Sequence, residues 1–582
     1  MKLAILQTYF WCSCSIFANV LFLLNRRFTY RIFIKVKNLM EMWKSQMVLV
    51  QVLLMLCVFR LYFQSGPIYH LEPQKTLPEM GLQAPADRLV VFLLEGLRAD
   101  VFFSQNCSRF SYFRDLLLRE GLVGISKSSV PTLTRSAEVA LFAGFNQMPP
   151  VLPTGKFDSI FNRTSASDRG MVQRFSDLSD LRVSLESSAC VKSMQNATRL
   201  LMVVYVDNFG GANPQDFNYK KNLHNTQRNI RDAYEMIEST FDDKRTAYLF
   251  TSAHGLTNLG SYGSGSDEER DTPFFLWGAG VNGKPENITS NYSISHGVIV
   301  QLHKLAQIQF APLMSALIGL PPPVHNLAKL PLGYMKVSRE YERKATHLNA
   351  LQLLTQTKAI IRRHELGVFH KWLPKFNDLD LQRIAFYQNQ MNHLLDNGWR
   401  SRAMQTSVLA IKVAQKSLKF YYTYYHIPLI VTTVLALLGS QIYLLMKLSR
   451  HSTDSKIQPR GFLTWSTVLL VSLGISLGEL VFLQWAPIST IICLLVPFGI
   501  WSLAMAEVPQ SGCWVFKPLK HLQLIVAPAA SIIMALCYSY PFGLVYLLCV
   551  LCLKSSAYVL SLCRNHSTVF LRFPVWYWTL DD

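Results

Sequence analysis

Three residues with metal-binding or acid–base side chains follow apolar runs in the middle of this sequence. In the segment YLFTSAHGLTNLGSYGSGS, residues 248–266, an apolar run ends just before His254. Glu95 and Asp207 each follow an apolar run in the same way. Polar residues at three such ends predict a shared site if the runs are parallel strands, because the carboxyl ends of parallel strands share one edge. The alternative is that they are solvated loop residues.

Thr132 adds a hydroxyl to these candidates. The segment SSVPTLTRSAEVALFAGF, residues 128–145, predicts a loop followed by a helix from about residue 134. The first amides of a helix stabilise an anion, so a hydroxyl placed just before them is a candidate for covalent phosphoryl transfer. The alternative is that Thr132 or Thr134 is simply an N-cap.

The elements that must position these residues are strands and helices of an α/β domain. Continuous apolar runs at residues 88–94, 199–206, 246–251 and 273–277 predict strands buried on both faces. A polar helix is predicted between the second and third runs, at residues 219–241. Strand, helix and strand in this order indicate a mainly parallel sheet with flanking helices.

Charge and apolar content indicate a membrane protein. The chain of 582 residues has a formal net charge of +20 and is 50% hydrophobic. Such a charge fits either nucleic-acid binding or a membrane protein with basic cytosolic loops, and without a basic–aromatic motif we expect no nucleic-acid partner. The predicted membrane-spanning segments are 47–63, 421–446, 462–483, 488–505, 522–538 and 542–562.

Basic residues flank the first two of these segments, before residue 47 and after residue 446, which predicts that both flanks are cytosolic and the middle is lumenal. Glycosylation sequons agree with a lumenal middle, at Asn106, Asn162, Asn196, Asn287 and Asn291. The predicted regions are an N-terminal extension at 1–46, an anchor at 47–63, a lumenal domain at 64–335, a helical connector at 336–420 and a multi-span membrane region at 421–582. A start at Met40, Met42 or Met47 would give a single anchor, whereas an apolar run at 3–24 is a signal, a further span or an extension.

Two cysteines lie in the polar middle. Cys107 and Cys190 would form a disulfide in an oxidising compartment, and two free thiols are the alternative.

Several motifs occur together in one order along the chain. They are EGLRAD from Glu95, PTLTRSAEVALFAGF from Pro131, AHGLTNLGSYGSG from Ala253, TPFFLWGAG from Thr272, and APLMSALIGLPPPVHNLAKLP from Ala311. This order resembles the GPI ethanolamine phosphate transferase 1 family, within the alkaline phosphatase superfamily.

The resemblance implies an alkaline-phosphatase-like lumenal domain with α-helical transmembrane segments, in a multi-pass protein of the endoplasmic reticulum membrane. It implies transfer of phosphoethanolamine from phosphatidylethanolamine to the first mannose of a GPI precursor, with two zinc ions at the strand ends. Thr132 matches the family's nucleophilic threonine. Glu95, Thr132, Asp207 and His254 match positions of its metal ligands.

Other positions depart from the family pattern. Glu95 stands for an aspartate, Ala253 stands for the aspartate before His-Gly, and Gly211, Tyr262 and Ser266 stand for histidines. A catalytic zinc needs about three protein ligands, so these departures predict the loss of two-zinc catalysis.

Two functional hypotheses therefore stay open. One is a transferase with a changed site, in which a histidine such as His224 or His296 supplies a missing ligand. The other is a catalytically inactive family member that acts as a lipid-binding, scaffold or regulatory protein with partners of the biosynthetic assembly.

Overall fold

The computed structural model describes twelve stretches of the chain: residues 39–62, 71–103, 121–146, 158–208, 213–214, 216–283, 290–294, 298–367, 370–371, 373–452, 465–484 and 486–507. The chain divides into two compact units. The first, called the sheet unit, holds a β-sheet and the helices up to Thr423. The second, called the apolar helix unit, holds the helix that ends at Tyr62 and the helices after Tyr424. The domain boundaries stay a prediction.

Eight strands form the sheet in the order β3-β4-β1-β5-β6-β2-β8-β7. Their bounds are β1 Arg88–Glu95, β2 Leu122–Lys127, β3 Gly170–Phe175, β4 Arg199–Asn208, β5 Thr246–Ser252, β6 Asp271–Gly278, β7 Ser290–Ile294 and β8 Val298–Ala306. Strands β3, β4, β1 and β5 run parallel to one another, and β2 runs parallel to β8. The predicted mainly parallel sheet is confirmed, although β6 is antiparallel to both β5 and β2.

Strands β4, β1 and β5 are buried because both of their faces are covered. Val90, Phe92 and Leu94 of β1 lie in the core on one face, while Leu89 and Leu93 lie in the core on the other. A strand buried on both faces needs apolar side chains at every position, not at alternate positions. This requirement explains why the run at 88–94 predicted β1 correctly.

Helices cover both faces of this sheet. In chain order they are α2 Ala99–Phe103, α3 Thr134–Ala143, α4 Ile160–Ala166, α5 Leu178–Glu186, α6 Ser188–Gln195, α7 Phe217–Phe241, α8 Asp267–Arg270 and α9 Phe310–Leu317. Two short 3-10 turns, Pro78–Met80 and Gln307–Gln309, lie among them. The helix predicted at 219–241 is confirmed as α7, which lies between β4 and β5.

The predicted helical connector contains three helices, α10 Arg339–Glu365, α11 Leu381–Asp396 and α12 Arg400–Tyr422. A row of buried amides on α10 binds the loop before it. The Gln352 side-chain amide donates to the backbone carbonyls of Val324 and Asn326 at 2.9 and 2.8 Å. The side-chain oxygen Oδ1 of Asn349 accepts the Leu330 N–H at 2.9 Å. These bonds satisfy the backbone of a buried loop, so α10 belongs to the core of the sheet unit.

The apolar helix unit contains α1 Leu39–Tyr62, α13 His426–Ser452, α14 Trp465–Leu483 and α15 Ile488–Ala506. Two stretches are long and apolar enough to cross a membrane, one within Arg400–Met446 and one at Ile488–Ala506, with mean hydropathy of 2.0 and 2.1. The predicted spans at 522–538 and 542–562, and the apolar run at 3–24, lie outside the described residues.

His347 provides a test of how α10 packs. Its ring is buried at 4% exposure, and burial lowers its pKa to about 4 from an ordinary value of 6.5. The unfolded chain therefore takes up a proton between these values that the folded chain refuses, so the free energy of unfolding falls as the pH drops below about 6.5. One pKa unit corresponds to about 1.4 kcal/mol, which gives a loss of about 2 kcal/mol between pH 7 and pH 5.

We expect the melting temperature of the wild-type chain to fall by about 2–4 °C from pH 7 to pH 5. In His347→Gln this decrease should be clearly smaller, because the variant has no buried imidazole to protonate. The exposed His224→Gln variant is the matched control and should behave as the wild type. Equal decreases in all three proteins would show that His347 is not buried in its neutral form.

Candidate active site

Glu95 and His254 lie at the same edge of the sheet, as the sequence predicted. Glu95 is the last residue of β1, and His254 follows the end of the neighbouring parallel strand β5 by two positions. The Gly96 N–H donates to the His254 carbonyl at 2.9 Å, so the loops after the two strands are joined directly. Asp207 belongs to the last part of β4, the other neighbour of β1.

Thr132 lies just before the first turn of α3, which begins at Thr134 as predicted. The N-cap position belongs to Leu133, which makes no side-chain capping bond. Neither threonine is therefore the N-cap. The Thr132 side chain is free of a capping role, and at 1% exposure it is buried within the site.

The hydroxyl of Thr132 is enclosed by hydrogen-bonding groups of one loop and one short helix. It donates to the carboxylate of Glu269, a fully buried residue of α8. It also accepts the N–H groups of Gly263 and Gly265 at 3.0 and 3.3 Å. The same two N–H groups donate to Glu269 Oε2, each at 2.9 Å, and the Ser264 hydroxyl donates to Oε1.

We call these four donors the oxyanion cradle: the hydroxyls of Thr132 and Ser264 and the N–H groups of Gly263 and Gly265. Both glycines have a positive φ, +107° at Gly263 and +74° at Gly265. A residue with a Cβ rarely adopts this conformation, whereas glycine does so without strain. The GSYGSG sequence thus lets two nearby amides point at one oxygen atom, which is the geometry of an anion-binding nest.

His254 is held as a neutral ring. Its Nδ1 lies 2.9 Å from the Gly255 carbonyl, which can only accept, so Nδ1 carries the proton and Nε2 is the acceptor. The Thr134 hydroxyl lies 3.4 Å from that Nε2. Burial lowers the pKa of His254, while the nearby carboxylates of Glu95 and Glu269 oppose this shift. A neutral imidazole with an unprotonated Nε2 is the form that binds metals.

At two positions where the resemblance predicts lost metal ligands, the structure shows side chains that are not donors to a metal. The ring of Tyr262 stacks on the His254 ring, with centroids 4.3 Å apart and an interplanar angle of 22°. Ala253 is fully buried in the apolar core that also contains Leu249 and Phe310. An apolar methyl group and a stacked phenol thus occupy sites where two zinc ions would need donors.

The other positions that differ from the family pattern, and the two histidines proposed as substitutes, supply no metal ligand among the described residues. Ser266 is half-buried, and no hydrogen-bond partner of its hydroxyl is found in the part of the chain that the structure describes. Gly211 lies outside the described residues, as does His296, and His224 is an exposed residue of α7.

The described residues do not fit a two-zinc centre. No group of three or more His, Cys, Asp or Glu side chains converges among them. The surroundings of Thr132 are also unsuited to a cation, because its hydroxyl accepts two N–H groups whose positive ends point at its oxygen. Zinc-binding oxygens need their lone pairs free for the metal. Donors of this kind suit a negatively charged oxygen instead.

Glu269 is the site residue that sequence analysis missed. It lies in the run SDEER, which is typical of a solvated turn, and its neighbours Asp267 and Glu268 are indeed exposed. Its only sequence signal is its position four residues after Gly265. This spacing indicates a contact only once the structure shows that the Gly265 N–H points at the Glu269 carboxylate.

The glycosylation and disulfide predictions concern other parts of the sheet unit. Asn162 is exposed on α4 and Asn196 is exposed just after α6, whereas Asn291 lies in β7. Asn106 and Asn287 lie outside the described residues. Cys190 is exposed and has no disulfide partner within the described stretches, and Cys107 lies outside them. All five sequons stay predictions.

Comparison with known proteins shows which sequences this chain resembles. Residues 416–579 match the family model of phosphatidylinositolglycan class N. The chain is also similar to curated proteins named GPI ethanolamine phosphate transferase 1. It is 25% identical to the mouse and human proteins over 77% of its own length and 54% of theirs, and 25% identical to the Gibberella zeae protein over 84% of its length and 57% of that protein.

These matches confirm the resemblance to the GPI ethanolamine phosphate transferase 1 family. The chain spans about half the length of the curated relatives it matches. Among solved structures, an alkaline phosphatase superfamily protein from Vibrio parahaemolyticus matches at 13% identity and a TM-score of 0.32, covering 50% of this chain and 79% of that one. The periplasmic domain of EptC from Escherichia coli matches at 12% identity and a TM-score of 0.27, covering 43% and 86%.

The misfit with zinc predicts that chelation leaves the sheet unit stable. We expect the melting temperature of the purified full chain to be the same after dialysis against EDTA and after addition of zinc. A resident zinc pair would contribute a few kcal/mol to the folded state, so its removal would lower the melting temperature by about 5 °C or more. Such a decrease, reversed by added zinc, would contradict the assignment of the site.

Proposed function

We propose that this chain acts as a phosphoethanolamine transferase in GPI-anchor biosynthesis, adding phosphoethanolamine to the first mannose of the GPI precursor. The observation that carries this proposal is the similarity to proteins named GPI ethanolamine phosphate transferase 1 over 77% of the chain. Supporting it, Glu95 ends β1, His254 lies in the loop after the neighbouring strand β5, and Thr132 lies in the loop between β2 and α3. Ligands bind beyond the carboxyl ends of the strands in open α/β sheets.

In this proposal Thr132 carries the transferred group. Its hydroxyl oxygen forms a bond to the phosphorus of phosphatidylethanolamine while the bond from phosphorus to the diacylglycerol oxygen breaks, and the hydroxyl proton leaves with diacylglycerol. The mannose hydroxyl oxygen then forms a bond to phosphorus while the bond between phosphorus and the threonine oxygen breaks, and the mannose hydroxyl proton passes to the threonine oxygen. Both steps exchange one P–O bond for another, so no oxidant or reductant is needed.

The proposed location is the endoplasmic reticulum membrane, with the sheet unit in the lumen. The two long apolar stretches support contact with membrane lipids. The basic residues that flank the first two predicted spans support the lumenal placement of the sheet unit.

A second candidate function is a non-catalytic protein of the same pathway, which binds the lipid substrate or acts as a scaffold or regulator. Three features favour it: the methyl group of Ala253, the stacking of Tyr262 on His254, and the enclosure of the Thr132 hydroxyl. Each of them opposes the chemistry of a two-zinc transferase without disturbing the sheet.

Complementation separates the two functions. The chain is expressed in cells that lack GPI ethanolamine phosphate transferase 1, and GPI-anchored protein at the cell surface is measured. We expect rescue by the wild type and by Thr355→Val, which removes a hydroxyl that donates to the Leu351 carbonyl within α10. Thr132→Val should abolish rescue, because the group that bears phosphoethanolamine is missing.

Protein level and location are measured for every variant, so that failure to fold is seen directly. If the wild type reaches the endoplasmic reticulum at normal level and rescues nothing, the transferase proposal is wrong and the non-catalytic candidate takes its place. Rescue by Thr132→Val would also contradict the proposed role of the threonine.

A further inference from the structure

The strongest unexplained feature of the sheet unit is the buried carboxylate of Glu269. A charged side chain at 0% exposure is costly unless donors surround it. Here all four donors of the oxyanion cradle bind it, three at Oε2 and one at Oε1. No cation is needed to hold this carboxylate in place, because the cradle already satisfies it.

Glu269 and Thr132 share the same two amides. The Gly263 N–H lies 2.9 Å from Glu269 Oε2 and 3.0 Å from Thr132 Oγ1, and the Gly265 N–H lies 2.9 and 3.3 Å from the same two oxygens. Two converging amides beside a hydroxyl are suited to one oxygen of a tetrahedral anion. In this molecule the oxygen in that position is Oε2 of Glu269.

We propose that the cradle is a binding site for a phosphate-type oxyanion and that Glu269 closes it as an internal, autoinhibitory occupant. An external anion reaches Thr132 only when the carboxylate leaves the cradle. The proposal rests on the proposed function in that it concerns the same hydroxyl. Binding is measured without turnover, however, so the two can fail separately.

Two observations support closure over a purely structural role. Thr132 is only 1% exposed and its hydroxyl is bonded to Glu269, so a phosphoester has no path to that hydroxyl in this arrangement. The occupant also comes from α8, a single turn of four residues whose neighbouring side chains Asp267 and Glu268 are exposed. Rotation of one side chain on a short surface turn opens the cradle without disturbing any strand.

The Glu269 carboxylate and an incoming oxyanion repel each other and need the same donors. The proposal therefore predicts that anion affinity is low in the wild type and rises when the carboxylate is removed. In Glu269→Ala the two amides and two hydroxyls lose their acceptor, and a tetrahedral oxyanion replaces it. In Glu269→Gln the pocket stays filled but loses its charge, so the affinity should be intermediate.

The experiment uses the purified full chain in detergent, with EDTA present to exclude binding through a metal. Tungstate serves as the tetrahedral probe and is counted per chain by equilibrium dialysis and elemental analysis. Inorganic phosphate is tested as its competitor. We expect one tungstate per chain in Glu269→Ala, with an affinity at least tenfold higher than in the wild type, and a rise in melting temperature on binding.

Asp267→Asn is the matched control, because it removes an exposed carboxylate from the same turn. It should bind tungstate no better than the wild type. The double variant Glu269→Ala/Thr132→Val should bind several-fold more weakly than Glu269→Ala, because one donor of the cradle is gone. This comparison assigns the bound tungstate to the cradle.

Two outcomes would overturn the proposal: equal tungstate affinity in the wild type and both Glu269 variants, or a gain that Thr132→Val leaves unchanged. If Glu269→Ala does not fold, Glu269→Gln carries the test: tungstate affinity above that of the wild type, lowered again in Glu269→Gln/Thr132→Val, supports the proposal, and affinity equal to the wild type overturns it. Tungstate binding gained without any rescue in cells would leave this proposal standing and end the transferase proposal.

Discussion

The hydrogen bonds that enclose Glu269 determine what this site can do. A buried carboxylate, two backbone amides and two hydroxyls satisfy one another completely, so the pocket is stable with no bound group. A metal centre would require the opposite pattern, with several acceptors converging and no N–H group pointing inwards. The same site cannot meet both requirements in one arrangement, and the described residues adopt the first.

The sheet makes this arrangement precise, because each participant is fixed by a different element. The loop after β5 supplies the two glycine amides, the turn before β6 supplies Glu269, and the start of α3 supplies Thr132. The Gly255 N–H donates to the Glu269 carbonyl at 2.7 Å, and the Ser128 N–H donates to the Arg270 carbonyl at 2.8 Å. These backbone bonds connect the three segments. The centre of the site is thus built from internal groups that lie on three separate segments of the fold.

Sequence patterns predicted the parts of this fold that depend on burial alone. The strands β1, β4 and β5 are continuous apolar runs because both of their faces are covered, and α7 is long enough for its polar face to be evident. The edge strand β3 was missed because its side chains are mostly half-buried and polar residues interrupt it. The antiparallel direction of β6 depends on chain routing through the loop that contains Glu269, which no local pattern encodes.

The site residues also fall into those that the sequence predicted and those that it did not. Glu95, His254 and Thr132 were predicted because each follows or precedes an element that the sequence reveals. Glu269 was not predicted, because its partner Thr132 lies 137 positions away and its neighbours are ordinary exposed acids. The role of Tyr262 was likewise invisible in sequence. A tyrosine in place of a histidine indicates only a lost ligand, whereas the structure places its ring against His254.

Anomalous X-ray scattering on either side of the zinc absorption edge, from crystals of the full chain grown with zinc present, tests the central claim most directly. The account predicts no anomalous peak at bonding distance from the Thr132 oxygen, and continuous electron density for the contact between Thr132 and Glu269. One or two strong peaks bonded to Thr132, with the Glu269 carboxylate turned away from the two glycine amides, would contradict it.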